Sequence, residues 1–253
     1  MNRRTLLKGG LPFVAGIPLL AARETTQPPS KAVTSNTVNV FTRIANSTGC
    51  LVTPSPNLHY DGFASELVEA GVLLRTFADE LQNSGLASPI EGYFRQRSSE
   101  ALQELALVPE EAEGIAQLLR KQGVQVNSWI LPNRFFVADP SAREAGKLVQ
   151  DLGIQKVLHL AADFLKVRGS DLQLGRATLT PDLPISRGRG SFAIRQSGTA
   201  KEEAQKRQMQ KIANALLIAG AANGLGCAFG VVISCIAAPI LALSGLTIRF
   251  IID

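Results

Sequence analysis

The sequence predicts an α+β body of helices on a small sheet at residues 58–165, then a basic β-rich neck at 166–198 and a hydrophobic helix or helical hairpin at 199–253. Three observations predict this. Apolar residues recur at helical spacing from Phe63 onward. Short runs of Val, Ile and Phe, bounded by Gly and Pro, alternate with those stripes. The 37 residues from Ile212 to Ile248 carry no charge at all.

The chain opens on Arg3-Arg4-Thr5-Leu6-Leu7-Lys8, followed by a modest apolar run from Gly9 to Ala22. A charged start, a short apolar stretch and small residues at its end make a signal peptide rather than a membrane span. The hexamer resembles the twin-arginine export motif, with Leu6 where Phe is usual. The resemblance covers about twenty residues and implies export of a folded chain, read by an export translocase through Arg3, Arg4, Leu6, Leu7 and Lys8. Residues 1–22 are therefore set apart from the fold. Residues 23–57 are rich in Thr, Ser, Pro and Asn and read as an extended linker, with one short strand at Val38 to Ile44.

Within the body, Phe63, Leu67, Ala70, Leu74, Phe77 and Leu81 form one helical stripe that ends between Asn83 and Gly85. Ser88-Pro89-Ile90-Glu91 reads as a capping box opening a second helix. Pro109 opens a third, with Glu110, Glu111 and Glu113 at its positive end and Gly123 as its stop. Strands are expected at Val124 to Ile130, Arg134 to Ala138 and Ile154 to Leu160, around a helix from Pro140 to Gly153. In the neck, Pro181, Pro184 and Arg187-Gly188-Arg189-Gly190 punctuate an expected strand pair. Thr199-Ala200-Lys201-Glu202 is a second capping box leading into the tail.

Charge is spread unevenly. Residues 23–165 hold 12 basic and 16 acidic groups, whereas residues 166–211 hold 10 basic and 4 acidic. The basic whole-chain balance therefore hides an acidic body, and it does not argue for nucleic acid as a partner. A basic segment beside an apolar one, with Lys206, Arg207 and Lys211 at the junction, points to anionic lipid.

About 20 apolar residues span a bilayer, so the tail has the length for one span with a spare piece or for two short spans. Gly220-x-x-x-Gly224 and Gly226-x-x-x-Gly230 are spacings that let helices approach closely, within the tail or between copies as a homo-oligomer. Cys227 and Cys235 could pair if the chain folds back between them, but not along one straight helix. If the body is exported, the basic flank lies outside, against the positive-inside preference. Either the tail acts on membranes from outside, or it does not insert as a standard anchor, or the chain is a cytosolic tail-anchored protein. A buried pair of core helices in the soluble domain is the further reading, against which stands the lack of a polar face.

Catalytic signatures are sparse. The two histidines, His59 and His159, each lack a partner at ligand spacing, and no metal site is expected. There is no C-x-x-C, H-E-x-x-H, G-x-S-x-G or Walker loop, and no residue indicates a cofactor. Trp129, Phe135 and Phe136 read as core. The leading expectation is an exported, membrane-associated, non-enzymatic envelope protein tethered by its tail. In layout the chain also resembles halocin-type bacteriocin precursors: a twin-arginine signal, a soluble body and a Gly-rich apolar C-terminal module. That resemblance implies a membrane-active peptide released from the tail, with Arg187–Gly190 as the processing site. An exported enzyme with an unfamiliar site is the third reading.

Overall fold

The computed structural model describes residues 27–48, 60–100, 109–124, 126, 140–182, 191–195, 200–228 and 232–252. Among them the packed architecture is all-helical, with eight helices. They are α1 (Lys31–Thr48), α2 (Tyr60–Asn83), α3 (Ala87–Glu100), α4 (Pro109–Lys121), α5 (Pro140–Leu152), α6 (Ile154–Gln173), α7 (Ala200–Ala228) and α8 (Val232–Ile252). The extended pairing among the described residues is one antiparallel hairpin, β1 (Thr178–Asp182) with β2 (Ser191–Arg195), in register Thr178 to Arg195 and Asp182 to Ser191.

The α+β expectation is overturned at two described segments. Val38 to Ile44, expected as a strand in a linker, lies inside α1. Its many β-branched residues favour a strand locally. Yet Thr34, Thr37, Val38, Phe41, Ile44 and Ala45 recur at helical spacing and are all buried, and α1 packs on both α2 and α8. Tertiary burial overrides propensity here. The threonines fit because their hydroxyls donate back up the helix, Thr37 Oγ1 to the Val33 carbonyl at 2.7 Å and Thr34 Oγ1 to the Ser30 carbonyl at 3.1 Å.

Ile154 to Leu160, also expected as a strand, is the first part of α6. The stripe Ile154, Val157, Leu158, Ala161, Ala162, Leu165 and Gly169 continues well past Leu160, and each of these residues is buried. A short apolar run cannot be told from a buried helix by periodicity alone. The neck changes too: residues 166–173 complete α6, so the β-rich part shrinks to the one hairpin. The expected strands at 124–130 and 134–138 lie outside the described residues, apart from Val124 and Val126.

The helix stops follow backbone chemistry. Gly85, Gly123, Gly153 and Gly175 have φ of 74, 78, 78 and 67°, the left-handed region open to glycine. At the end of α4, Val124 N–H reaches back to the Leu119 carbonyl at 3.0 Å, a Schellman closure. Only Gly153 separates α5 from α6, and no side chain of its own caps α6. Glu91 of α3 supplies the cap instead, its Oε1 accepting from Ile154 N–H at 2.9 Å. The carboxylate expected to close a capping box on α3 thus serves another helix 63 residues away.

α2 and α6 run antiparallel at very close range. A Cβ placed on Gly71 would lie 2.6 Å from the Ala162 carbonyl oxygen, and one on Gly169 2.6 Å from the Ala64 carbonyl oxygen. Beside this seam Arg75 pairs with Asp163 at 2.9 Å, and Asp79 Oδ1 accepts from Gln155 Nε2 at 2.9 Å. Arg43 of α1 reaches Glu66 and Glu69 of α2 at 3.0 and 3.1 Å, and Glu80 accepts from Ser30 N–H at 2.8 Å just before α1. The remaining helices, α3, α4 and α5, close the body around the pair α7–α8.

Candidate membrane-binding hairpin

The tail folds back as an antiparallel helical hairpin, α7 against α8. What allows the close approach is a pair of glycines facing opposite ways. A Cβ on Gly220 would lie 2.8 Å from Ala242 N and 3.0 Å from Ala242 Cα. A Cβ on Gly245 would lie 2.9 Å from the Ala213 carbonyl oxygen and 2.8 Å from Leu217 Cγ. Backbone therefore meets backbone at both crossings, as small residues permit between apolar helices. Gly224, expected to share this role, meets Leu118 of α4 instead, at 2.9 Å from its Cδ1. The environment of Gly226, like Gly230 itself, lies outside the described residues. Gly245 escaped the sequence reading because it stands alone in α8, without a second small residue at four-residue spacing to flag it.

From Ile212 onward α7 is apolar almost all round, as is α8, and nearly all of that surface is covered. From Ile212 to Gly224 every residue of α7 is buried, as is every residue of α8 from Ala237 to Ile251. A helix hydrophobic on every side belongs in a core or in lipid. The segment Cys235–Ile252 has the length and composition to cross a membrane, with mean hydropathy 2.0 over 18 residues, yet 83% of it is buried inside the protein. At 1.5 Å per residue it is about 27 Å long, close to the hydrocarbon thickness of a bilayer. Two of the polar groups inside bond to their own helix: Asn223 Nδ2 donates to the Ala219 carbonyl at 2.7 Å, and Ser244 Oγ to the Leu241 carbonyl at 2.9 Å. The Thr247 hydroxyl, by contrast, is buried without a hydrogen bond among the described residues. Arg249, the one charged residue of α8, is buried in its last turn, where the helix dipole favours a cation.

The cover is made of α1 and α4 over α8, with α4, α5 and α6 over α7. α4 and α5 are amphipathic, burying Ile115, Ala116 and Leu119, and Ala145 and Val149, while Lys121 and Asp151 face water. Strand β2 also packs on α8.

The first turns of α7 project from this body. Lys206 and Arg207 are exposed, and Lys211 forms an ion pair with Glu144 of α5. Nearby, the Arg168 guanidinium lies 5.3 Å from the Phe164 ring centroid. Burial pulls its pKa below the ordinary arginine value, while Asp171 and Glu202 oppose the shift.

The other sequence candidates fall as follows. Cys235 is held in a disulfide; the Cys227 side chain lies outside the described residues. His159 sits on helix α6 rather than on a strand, with Nε2 2.8 Å from Asp79 Oδ1. The Asp79 carboxyl is held below its usual value, first by the hydrogen bond from Gln155 and then by His159 and Arg75. This group straps α2 to α6. The export-signal residues Arg3, Arg4, Leu6, Leu7 and Lys8 lie outside the described residues. So do His59, Trp129, Phe135, Phe136 and Arg187–Gly190.

No protein-family model matches the chain, and neither does any curated protein or solved structure.

Proposed function

We propose that this is an exported, non-enzymatic protein that acts at membranes, carrying its lipid-seeking element, the α7–α8 hairpin, folded inside a jacket of amphipathic helices. The observation that carries the reading is a membrane-length apolar segment held under cover within the protein. Lipid tails are as apolar as a leucine core, so the hairpin loses little on moving from the jacket into a bilayer. The jacket helices that lose their core can lie in the membrane interface on their apolar faces. Action on a membrane from outside also removes the conflict with the positive-inside preference.

Burial of the hairpin favours this reading over a simple tether or a released peptide. Ile212, Leu216, Leu241 and Leu246 belong to the same core cluster as Phe41, Phe77 and Leu158. A body hanging from an inserted tail, or left behind after cleavage, would lack its interior.

The test is to mix the purified chain with dye-loaded vesicles of phosphatidylcholine, with and without phosphatidylglycerol. Co-sedimentation with the anionic vesicles and release of dye are expected. A chain that stays in the supernatant at every lipid composition, with the dye retained, refutes the proposal.

A further inference from the structure

We propose that Glu144 is an intramolecular stand-in for an anionic lipid headgroup, and that its ion pair with Lys211 is the latch that such a headgroup opens. This inference rests on the membrane reading above and names the ligand class and the contact that senses it.

Lys211 is the last charge before the uncharged stretch of the tail, so it marks the point where the hairpin begins. Its partner Glu144 lies on α5, a helix that packs directly on α7. The pair is open to water, with side chains 34% and 55% exposed. Ion pairs in that setting contribute little, about fivefold in an equilibrium at most. Arg207 is four residues before Lys211 and therefore on the same face, one turn further out. Arg207, Lys206 and Lys201 are exposed. An anionic bilayer surface attracts each nearby cation by about fivefold. Glu202 and exposed Glu203 in the first turn offset Lys201. Arg207 on the same face and Lys206 next to it are therefore the cations that bring the surface to Lys211, against one solvated carboxylate.

The same surface repels Glu144. Next to it in sequence, Ala145 is fully buried, and Val149 follows one turn later. Parting Lys211 from Glu144 therefore removes a polar tie at the place where α5 covers α7, and leaves the buried Ala145 and Val149 to hold that cover. The lipid does two things at one site: it replaces the carboxylate on Lys211, and it releases the polar tie on the cover.

The experiment measures partition of the full chain onto vesicles of phosphatidylcholine mixed with phosphatidylglycerol, whose anionic surface attracts basic residues, and onto pure phosphatidylcholine. Glu144→Gln is expected to reach half-binding on the anionic vesicles at about twofold to fivefold less lipid than the parent chain. Asp151→Asn removes the same charge from the same helix, away from Lys211, and is expected to leave binding near the parent value. Lys211→Gln breaks the same pair but also removes the lipid contact, so it is expected to show no gain. Parent chain bound and Glu144→Gln unchanged overturns the latch and leaves the membrane reading standing. An equal gain in Glu144→Gln and Lys211→Gln also overturns it, because simple destabilisation then explains both. A parent chain that binds neither vesicle overturns the membrane reading, and the latch with it.

Discussion

Replacing Gly220 with alanine tests the hairpin contact against a built-in control. A Cβ there would stand 2.8 Å from Ala242 N and 3.0 Å from Ala242 Cα and Cβ. Ordinary carbon contacts lie at about 3.5–4.0 Å, so the helices must part by several tenths of an ångström. The obstacle is mostly backbone, which no rotamer change relieves. Overpacking of this kind costs about 1–3 kcal/mol. Alanine also returns about 1 kcal/mol of helix propensity, which offsets part of that cost. Gly114 in α4 has nothing within 4 Å of its Cβ position, so Gly114→Ala collects the propensity gain alone. Both variants share the propensity term, and their difference isolates the crossing. Thermal unfolding followed by circular dichroism should place Gly220→Ala below Gly114→Ala by about 2–10 °C for a chain of this size. Equal melting temperatures would refute the argument that α7 and α8 touch through Gly220.

Other outcomes follow from single contacts. Glu91→Ala removes the cap on Ile154 N–H and should cost about 0.5–2 kcal/mol, with faster amide exchange in the first turn of α6; unchanged exchange there would show that the cap does not act. Phe77→Ala empties a fully buried site in α2 and should cost about 3–5 kcal/mol in urea unfolding. Because the Asp79 carboxyl is held below its usual value, its contribution to stability is present above about pH 4 and is lost as the pH falls through the lower folded value. Asp79→Asn should therefore flatten the acid limb of the stability profile, and an unchanged slope would contradict that assignment. The chain has three cysteines and Cys235 is in a disulfide, so denaturation without reductant should leave one thiol for maleimide labelling; three adducts would contradict the bond.

What could be read from sequence was what local chemistry decides. The α2 stripe from Phe63 to Leu81 is fully buried, and Gly85, Gly123 and Gly153 stop helices as glycine in the left-handed region does. What could not be read was set by distant partners. Within α1, Val38 to Ile44 reads as a short strand in a linker and becomes helix where α2 and α8 cover it. Glu91 has the spacing of a capping box, but α3 already begins at Ala87, and the carboxylate accepts from Ile154 N–H on another helix. In the tail, the missing charge and the small residues were visible at once. A covered pair of core helices was one reading of that tail among several, because α4 and α5 look like ordinary amphipathic helices until they are seen against α7. Glu144 gave no signal, since its meaning comes only from Lys211.

The central claim is that the hairpin is sheathed in water and enters lipid when an anionic membrane is present. Photolabelling of the full chain with a phospholipid carrying a diazirine in its acyl chain, followed by peptide mapping, tests it directly. Labels concentrated between Cys235 and Ile252 with anionic vesicles, and missing there with neutral ones, are the predicted result. Labels confined to α4 and α5, or no labels at all, would contradict it.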